Sequence, residues 1–157
     1  MPTVDSLDAR LLLALDEDPN ATILSLARTL GVARNTAHAR LARLTESGAI
    51  KEFSRRLDPA ALGYGLMAFV SVAISQTRPD VALAGLRLHP EVIEIHSTTG
   101  DADFLVKVVA RDTQDLHRIT NAILTIEGIV RTNTTVSLIE TMPLRISALL
   151  RSAANGQ

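Results

Sequence analysis

The chain has 157 residues, 46% of them hydrophobic and 21% charged, with a formal net charge of −1 and a mean hydropathy of +0.20. This is enough for one large domain or two small ones with real cores, and it excludes disorder as the dominant state. Absent cysteine excludes disulfides, thiolate catalysis and cysteine-held zinc, and four aromatics (Phe53, Tyr64, Phe69, Phe104) are too few for a base-stacking platform.

In chain order, Asp5 or Ser6 caps a first helix carrying Leu7, Leu11, Leu12 and Leu15 at helical spacing, and Pro19 ends it. The stretch is acidic, with Asp5, Asp8, Asp16, Glu17 and Asp18 against Arg10. Thr22 caps a second helix with Ile23, Leu26, Ala27 and Leu30 inward, and Gly31 closes it in the left-handed conformation. The spacing predicts a third helix over 33–47, ending at Gly48, and a strand over 50–57 broken at Leu57-Asp58-Pro59. Helix, tight glycine turn and basic helix form the helix-turn-helix arrangement. Residues 28–56 carry Arg28, Arg34, Arg40, Arg43, Lys51, Arg55 and Arg56 against Glu46 and Glu52. Two readings fit this run: the electrostatic footprint of a polyanion, or a solvated helix face rich in arginine.

On a helical wheel, Ala37, Leu41 and Leu44 of the third helix face inward. Asn35, Thr36, Ala39, Ala42 and Arg43 lie opposite, flanked by Arg34 and His38 on one side and Arg40 on the other. Short side chains ringed by donors let a helix approach a groove floor. Asn35 suits an adenine edge, and Arg34 or Arg43 suits guanine or phosphate. The plainer reading is an exposed helix in a small bundle, with Arg and Ala present as good helix formers. Lys51, Arg55 and Arg56 suit flanking phosphates or the protection of a strand edge.

Further on the period changes. Strands are predicted over 67–74, 92–98, 104–110 and 129–139, with helices over 81–88 and 113–126. The order βαβ–βαβ, with echoed halves, predicts a ferredoxin-like antiparallel sheet with both helices on one face. Val and Ile read onto both strand faces imply that a second subunit covers the other, making at least a homodimer. Between the second and third strands, Gly100 permits a turn that exposes backbone N–H groups, and Thr98 and Thr99 add hydroxyls. These suit an α-carboxylate, with Asp101 or Asp103 facing an α-ammonium and Thr134, Thr135 and Ser137 completing a shared pocket. A simple β-turn explains the same residues. Gly63-Tyr64-Gly65 precedes a strand, so it lacks dinucleotide-binding geometry. Asp101, Asp103 and His96 make too small a set for a metal, and no residues form a nucleophilic catalytic set.

The runs Leu26-Ala27-Arg28-Thr29-Leu30-Gly31-Val32 and Arg40-Leu41-Ala42-Arg43-Leu44-Thr45-Glu46-Ser47-Gly48-Ala49-Ile50 resemble the DNA-binding half of the Lrp/AsnC regulators. So do Leu57-Asp58-Pro59 with Leu62-Gly63, and Thr99-Gly100-Asp101-Ala102-Asp103-Phe104-Leu105-Val106-Lys107-Val108 resembles the glycine-aspartate loop of their C-terminal RAM domain. The resemblance covers about residues 5–141. It implies an α+β protein with a (winged) helix-turn-helix domain over 1–58 and a ferredoxin-like βαββαβ RAM domain over 59–142. The tail over 143–157 lies beyond the resemblance and is expected to be helical around 144–150. The resemblance implies a transcriptional regulator that binds double-stranded DNA through Arg34, Asn35, Thr36, His38, Arg40, Arg43, Lys51 and Arg55. It also implies a homodimer assembling into an octamer, with an amino-acid-like effector between RAM domains. The effector residues are then His96, Thr98, Thr99, Gly100, Asp101, Ala102, Asp103, Thr134, Thr135 and Ser137. Two positions depart from the family. Ala33 replaces the serine common at the start of the recognition helix, so that Asn35 is an alternative cap, and Ala102 replaces an aromatic, which opens the pocket.

The expected function is therefore effector-responsive transcription regulation, without cofactor, metal or enzymatic activity. The alternative is a small-molecule-binding or enzymatic ferredoxin-like protein whose N-terminal helices serve assembly. With no apolar run of membrane-spanning length and no leader-like start at Met1-Pro2-Thr3-Val4-Asp5, the expected location is the cytoplasm, at the nucleoid.

Overall fold

The computed structural model describes residues 4–156; Met1, Pro2 and Thr3, read above for a leader, and Gln157 lie outside the described residues. The chain forms two compact units, one running to Arg56 and resumed from Met142, the other Leu57–Thr141.

The first unit holds α1 (Ser6–Glu17), α2 (Ile23–Leu30) and α3 (Arg34–Glu46), joined by a C-terminal helix, α6 (Ser147–Ala154). Asp5 caps α1 in a reciprocal capping box with Asp8, and Thr22 caps α2 by accepting from the Ser25 amide. Gly31 ends α2 at φ 69°, a left-handed conformation that only glycine adopts without strain. Leu11, Leu30 and Leu44, one from each helix, are buried together, with Leu7, Leu15, Val32, Leu41 and Ile50 packed around them. Burying each of the three contributes about 1.5–3 kcal/mol. Ala9 and Ala37 are also fully buried, their small side chains suiting close approach.

Three expectations change here. The strand over 50–57 is replaced by a short 3₁₀ turn, Phe53–Arg56. No strand of this unit offers it a ladder partner among the described residues, and an unpaired strand leaves its backbone groups unsatisfied. Ala33 is the N-cap of α3 without a side-chain hydrogen bond, so Asn35 lies inside the first turn rather than capping it. The tail is helical over Ser147–Ala154, later than 144–150, and packs on α1.

The second unit holds β1 (Leu66–Ile74), α4 (Pro79–Arg87), β2 (Val92–Ser97), β3 (Phe104–Ala110), α5 (Thr113–Leu124) and β4 (Ile129–Val136). The sheet is antiparallel throughout, in the order β2-β3-β1-β4. Ala68, Val70 and Val72 of β1 and Phe104, Val106 and Val108 of β3 are buried against Ala82 and Leu86 of α4 and Leu116, Ile119 and Ile123 of α5. Both helices therefore cover one face, as predicted. Pro79 starts α4 at a position where its missing N–H costs nothing. β4 stops at Val136 rather than 139, because the Ser137 amide bonds to Met67 near the start of β1 and little partner strand remains.

The other sheet face is more polar than expected, with Val109 as its buried valine. By the strand register it carries Met67, Phe69, Ser71 and Ala73 of β1, Leu105, Lys107 and Val109 of β3, Glu94 and His96 of β2, and Arg131, Asn133 and Thr135 of β4.

Candidate functional site

In the first unit, the turn at Gly31 presents α3 with one face to its own core and one to solvent. Ala37 and Leu44 are buried, whereas Arg34, Asn35, Thr36, His38, Ala39 and Arg43 are exposed. Lys51 and Arg55 are exposed as well, Arg55 on the 3₁₀ turn.

Two of the arginines on α3 turn back toward α1. Arg40 Nη1 donates to Asp5 Oδ2 at 2.6 Å and to Asp8 Oδ1 at 2.8 Å, and Arg43 Nη2 donates to Asp8 Oδ2 at 2.5 Å. Asp8 is fully buried. Burial opposes its charge, but the hydrogen bonds from Arg40 and Arg43 outweigh that and hold its carboxyl below the ordinary value. The Arg40 hydrogen bond likewise holds the Asp5 carboxyl down, and the two carboxylates raise the Arg40 guanidinium. Arg40 is thus engaged inside the unit, while the Arg43 side chain keeps 46% of its surface exposed. The sequence reading missed Asp5 and Asp8 as partners of α3. Their capping-box spacing was visible, but nothing local pointed to arginines 32 to 35 residues away.

In the second unit, a hollow of about 350 Å³ opens on the uncovered sheet face beside the β2–β3 loop. Of the predicted effector residues, Thr98, Thr99, Asp101 and Ala102 line it. Gly100 shapes the loop at φ 107°. Thr98 Oγ1 donates to the Ala102 carbonyl at 2.9 Å. Asp103 does not line the hollow. Its carboxylate accepts from the Ile74 amide at 2.8 Å and from Gln76 Nε2 at 3.0 Å, tying the loop to the end of β1. Thr134 pairs with Val70, which faces the helices, so it points away. Thr135 lies further along β4 and Ser137 just beyond its end, and His96 is hydrogen-bonded to Glu94 at 3.2 Å.

Five further residues complete the lining: Ser71, Ala73, Leu105, Arg131 and Asn133. Arg131 opposes Ala73 and Asn133 opposes Ser71 across the β1–β4 ladder, and Arg131 Nη2 donates to the Asp101 carbonyl at 3.1 Å. Period-two alternation along β1 marks Ser71 and Ala73 as facing away from Val70 and Val72. The β4 residues emerge only once the register is known. Among the described residues no group of three or more metal-ligating side chains assembles, and no helix is long and apolar enough to cross a membrane.

Comparison with known proteins agrees with both halves. A family model described as a winged helix-turn-helix DNA-binding domain matches residues 4–51, and the Lrp/AsnC ligand binding domain matches residues 67–145. The HTH-type transcriptional regulator FL11 of Pyrococcus horikoshii is 33% identical over 135 residues, covering 86% of this chain and 89% of the relative. The structure of E. coli AsnC aligns with a TM-score of 0.83 at 30% identity, over 93% of this chain and 99% of that one. A feast or famine regulatory protein from M. tuberculosis, complexed with L-methionine, aligns at 0.79 and 28% identity, over 91% of this chain and 97% of that one. A helix-turn-helix reader joined to a small-molecule-binding sheet domain defines an effector-responsive, DNA-binding transcriptional regulator. The chain belongs to the Lrp/AsnC family. The reading in which the N-terminal helices serve assembly alone falls away, because those helices carry the DNA-binding match.

Proposed function

We propose that α3 enters the major groove of double-stranded DNA and that the hollow beside the β2–β3 loop takes a free amino acid. The observation that carries the first part is the exposed face of α3, where short side chains at Thr36 and Ala39 lie between the donors Arg34, Asn35, His38 and Arg43. A helix so faced can reach the groove floor, with Asn35 on a base edge and the cations on guanine or phosphate. Lys51 and Arg55 add flanking phosphate contacts. Arg40 is not among the readers, since its guanidinium is held by Asp5 and Asp8.

The lining of the hollow supports an amino acid. Arg131, Asn133 and the Thr99 hydroxyl offer donors to an α-carboxylate, and Asp101 offers an acceptor to an α-ammonium. Ala73, Ala102 and Leu105 leave an apolar wall for the side chain. The volume falls at the lower end of ligand-sized sites. The site is shared between subunits, and the uncovered sheet face joins two copies into a dimer that assembles further, to an octamer.

The test is a thermal melt of the full chain with each of the twenty amino acids at millimolar concentration. A ligand of the folded state raises the melting temperature by mass action. One amino acid is expected to do so, and Arg131→Gln and Asp101→Asn are expected to lose the shift while folding normally. A shift that survives both substitutions places the ligand elsewhere, and no shift with any amino acid rejects that effector class.

A further inference from the structure

The buried carboxylate of Asp8 belongs to neither the reading face nor the hydrophobic core, yet it contacts two arginines of the helix assigned to DNA. We propose that Asp8 is a positioning residue of the DNA interface, holding Arg40 as an internal strut and aiming Arg43 at a backbone phosphate. The inference rests on the reading of α3 as the helix that faces DNA.

The geometry separates the two arginines. Arg40 reaches both Asp5 and Asp8 through one nitrogen, and its side chain is 27% exposed, so its charge is neutralised where it stands. Arg43 is held through Nη2 alone, and nearly half of its side chain faces solvent. A guanidinium is a rigid planar fork with five donors, so one edge can serve Asp8 while the other serves a phosphate. A lysine ammonium is a single point and cannot span both in the same way. Asp8 itself cannot drift, because it is fully buried and its Oδ2 also accepts from the Asp5 amide at 3.1 Å. The carboxylate is therefore a fixed origin from which the Arg43 side chain, and with it the α3 backbone, is placed.

Charge alone predicts the opposite result from placement. Asp8→Asn removes a negative charge beside the interface, which by electrostatics alone strengthens DNA binding. If Asp8 places Arg43, the same substitution weakens binding and removes a phosphate contact. The experiment is fluorescence anisotropy of the full chain on a labelled random-sequence duplex, titrated across salt. Such binding is carried by phosphate contacts, and the log–log salt slope counts them at about 0.9 per contact. Arg34→Gln is the control for the helix assignment and is expected to reduce the slope by about one per bound subunit. Asp8→Asn and Arg43→Gln are each expected to do the same, with affinity falling about eightfold for each bound subunit at 0.1 M salt. Arg40→Gln is expected to lower the melting temperature and leave the slope unchanged.

Where Asp8→Asn fails to fold, Arg43→Lys decides. It keeps the charge at an exposed position and is expected to fall as far as Arg43→Gln. Native or tighter binding by Asp8→Asn, or a native slope in Arg43→Lys, overturns the positioning role while Arg34→Gln still reports the interface. An Arg34→Gln slope equal to that of the native chain rejects α3 as the DNA-facing helix, and the role of Asp8 with it.

Discussion

At the residue scale, the first unit depends on ions as well as leucines. Asp8 is removed from water and accepts hydrogen bonds from Arg40, Arg43 and the Asp5 amide. Removing one side of a buried ion pair costs about 3–5 kcal/mol. Because both guanidinia remain partly exposed and rehydrate, Asp8→Ala is expected to cost about 3 kcal/mol, the lower end of that range, in urea denaturation of the full chain. The same pairing sets a direction with pH. Asp5 and Asp8 have lower pKa values folded than unfolded, so their contribution is complete above the ordinary carboxylate range and is lost as pH falls through the folded values. Melting temperature is expected to decline below about pH 5, and less steeply in Asp8→Asn. A decline equally steep in the variant assigns the acid sensitivity to other carboxylates. The capping role of Asp5 was legible in the sequence because it joins residues three apart. The arginine partners were not, since only helix packing brings α3 over α1.

At the scale of elements, close packing is decisive where α4 meets the segment after α5. A Cβ added to Gly85 would stand 2.3 Å from Cγ2 of Ile126, nearer than any carbon contact allows. Gly85→Ala is therefore expected to destabilise the chain by about 1–3 kcal/mol, although alanine is the better helix former by up to about 1 kcal/mol. Urea denaturation measures the balance, and a stabilised variant would show that Ile126 shifts freely. The helices and strands themselves follow their apolar period closely, with β3 found over its predicted residues. The exception at 50–57 is informative. Alternation alone does not make a strand when no neighbour supplies the ladder.

At the scale of the molecule, the uncovered sheet face is the surface proposed to pair with a second copy. Phe69 stands on it 36% exposed, with Leu105 and Lys107 on the adjacent strand and Glu94 and His96 beyond. Its mixture of apolar and paired charged groups resembles an interface more than a core. Phe69→Glu is expected to shift the mass by light scattering toward the 16.9 kDa of a single chain, with the sheet still folded by circular dichroism. An unchanged multiple of that mass excludes this face from the main interface. If the hollow is shared between subunits, the same variant also loses the amino-acid-dependent rise in melting temperature.

The sequence by itself determined the order of the elements, the glycine turn before α3, the inward leucines and the loop that edges the hollow. These are properties of neighbours: capping spans three residues, helical faces repeat within four, and strand faces alternate in two. Only the tertiary structure decided that Asp8 holds Arg40 and Arg43, that Arg131 and Asn133 stand beside Ser71 and Ala73, that Asp103 braces β1, and that the C-terminal helix packs on α1. Each of those contacts joins residues about 30 or more positions apart, where no local period carries information and packing alone chooses the partner.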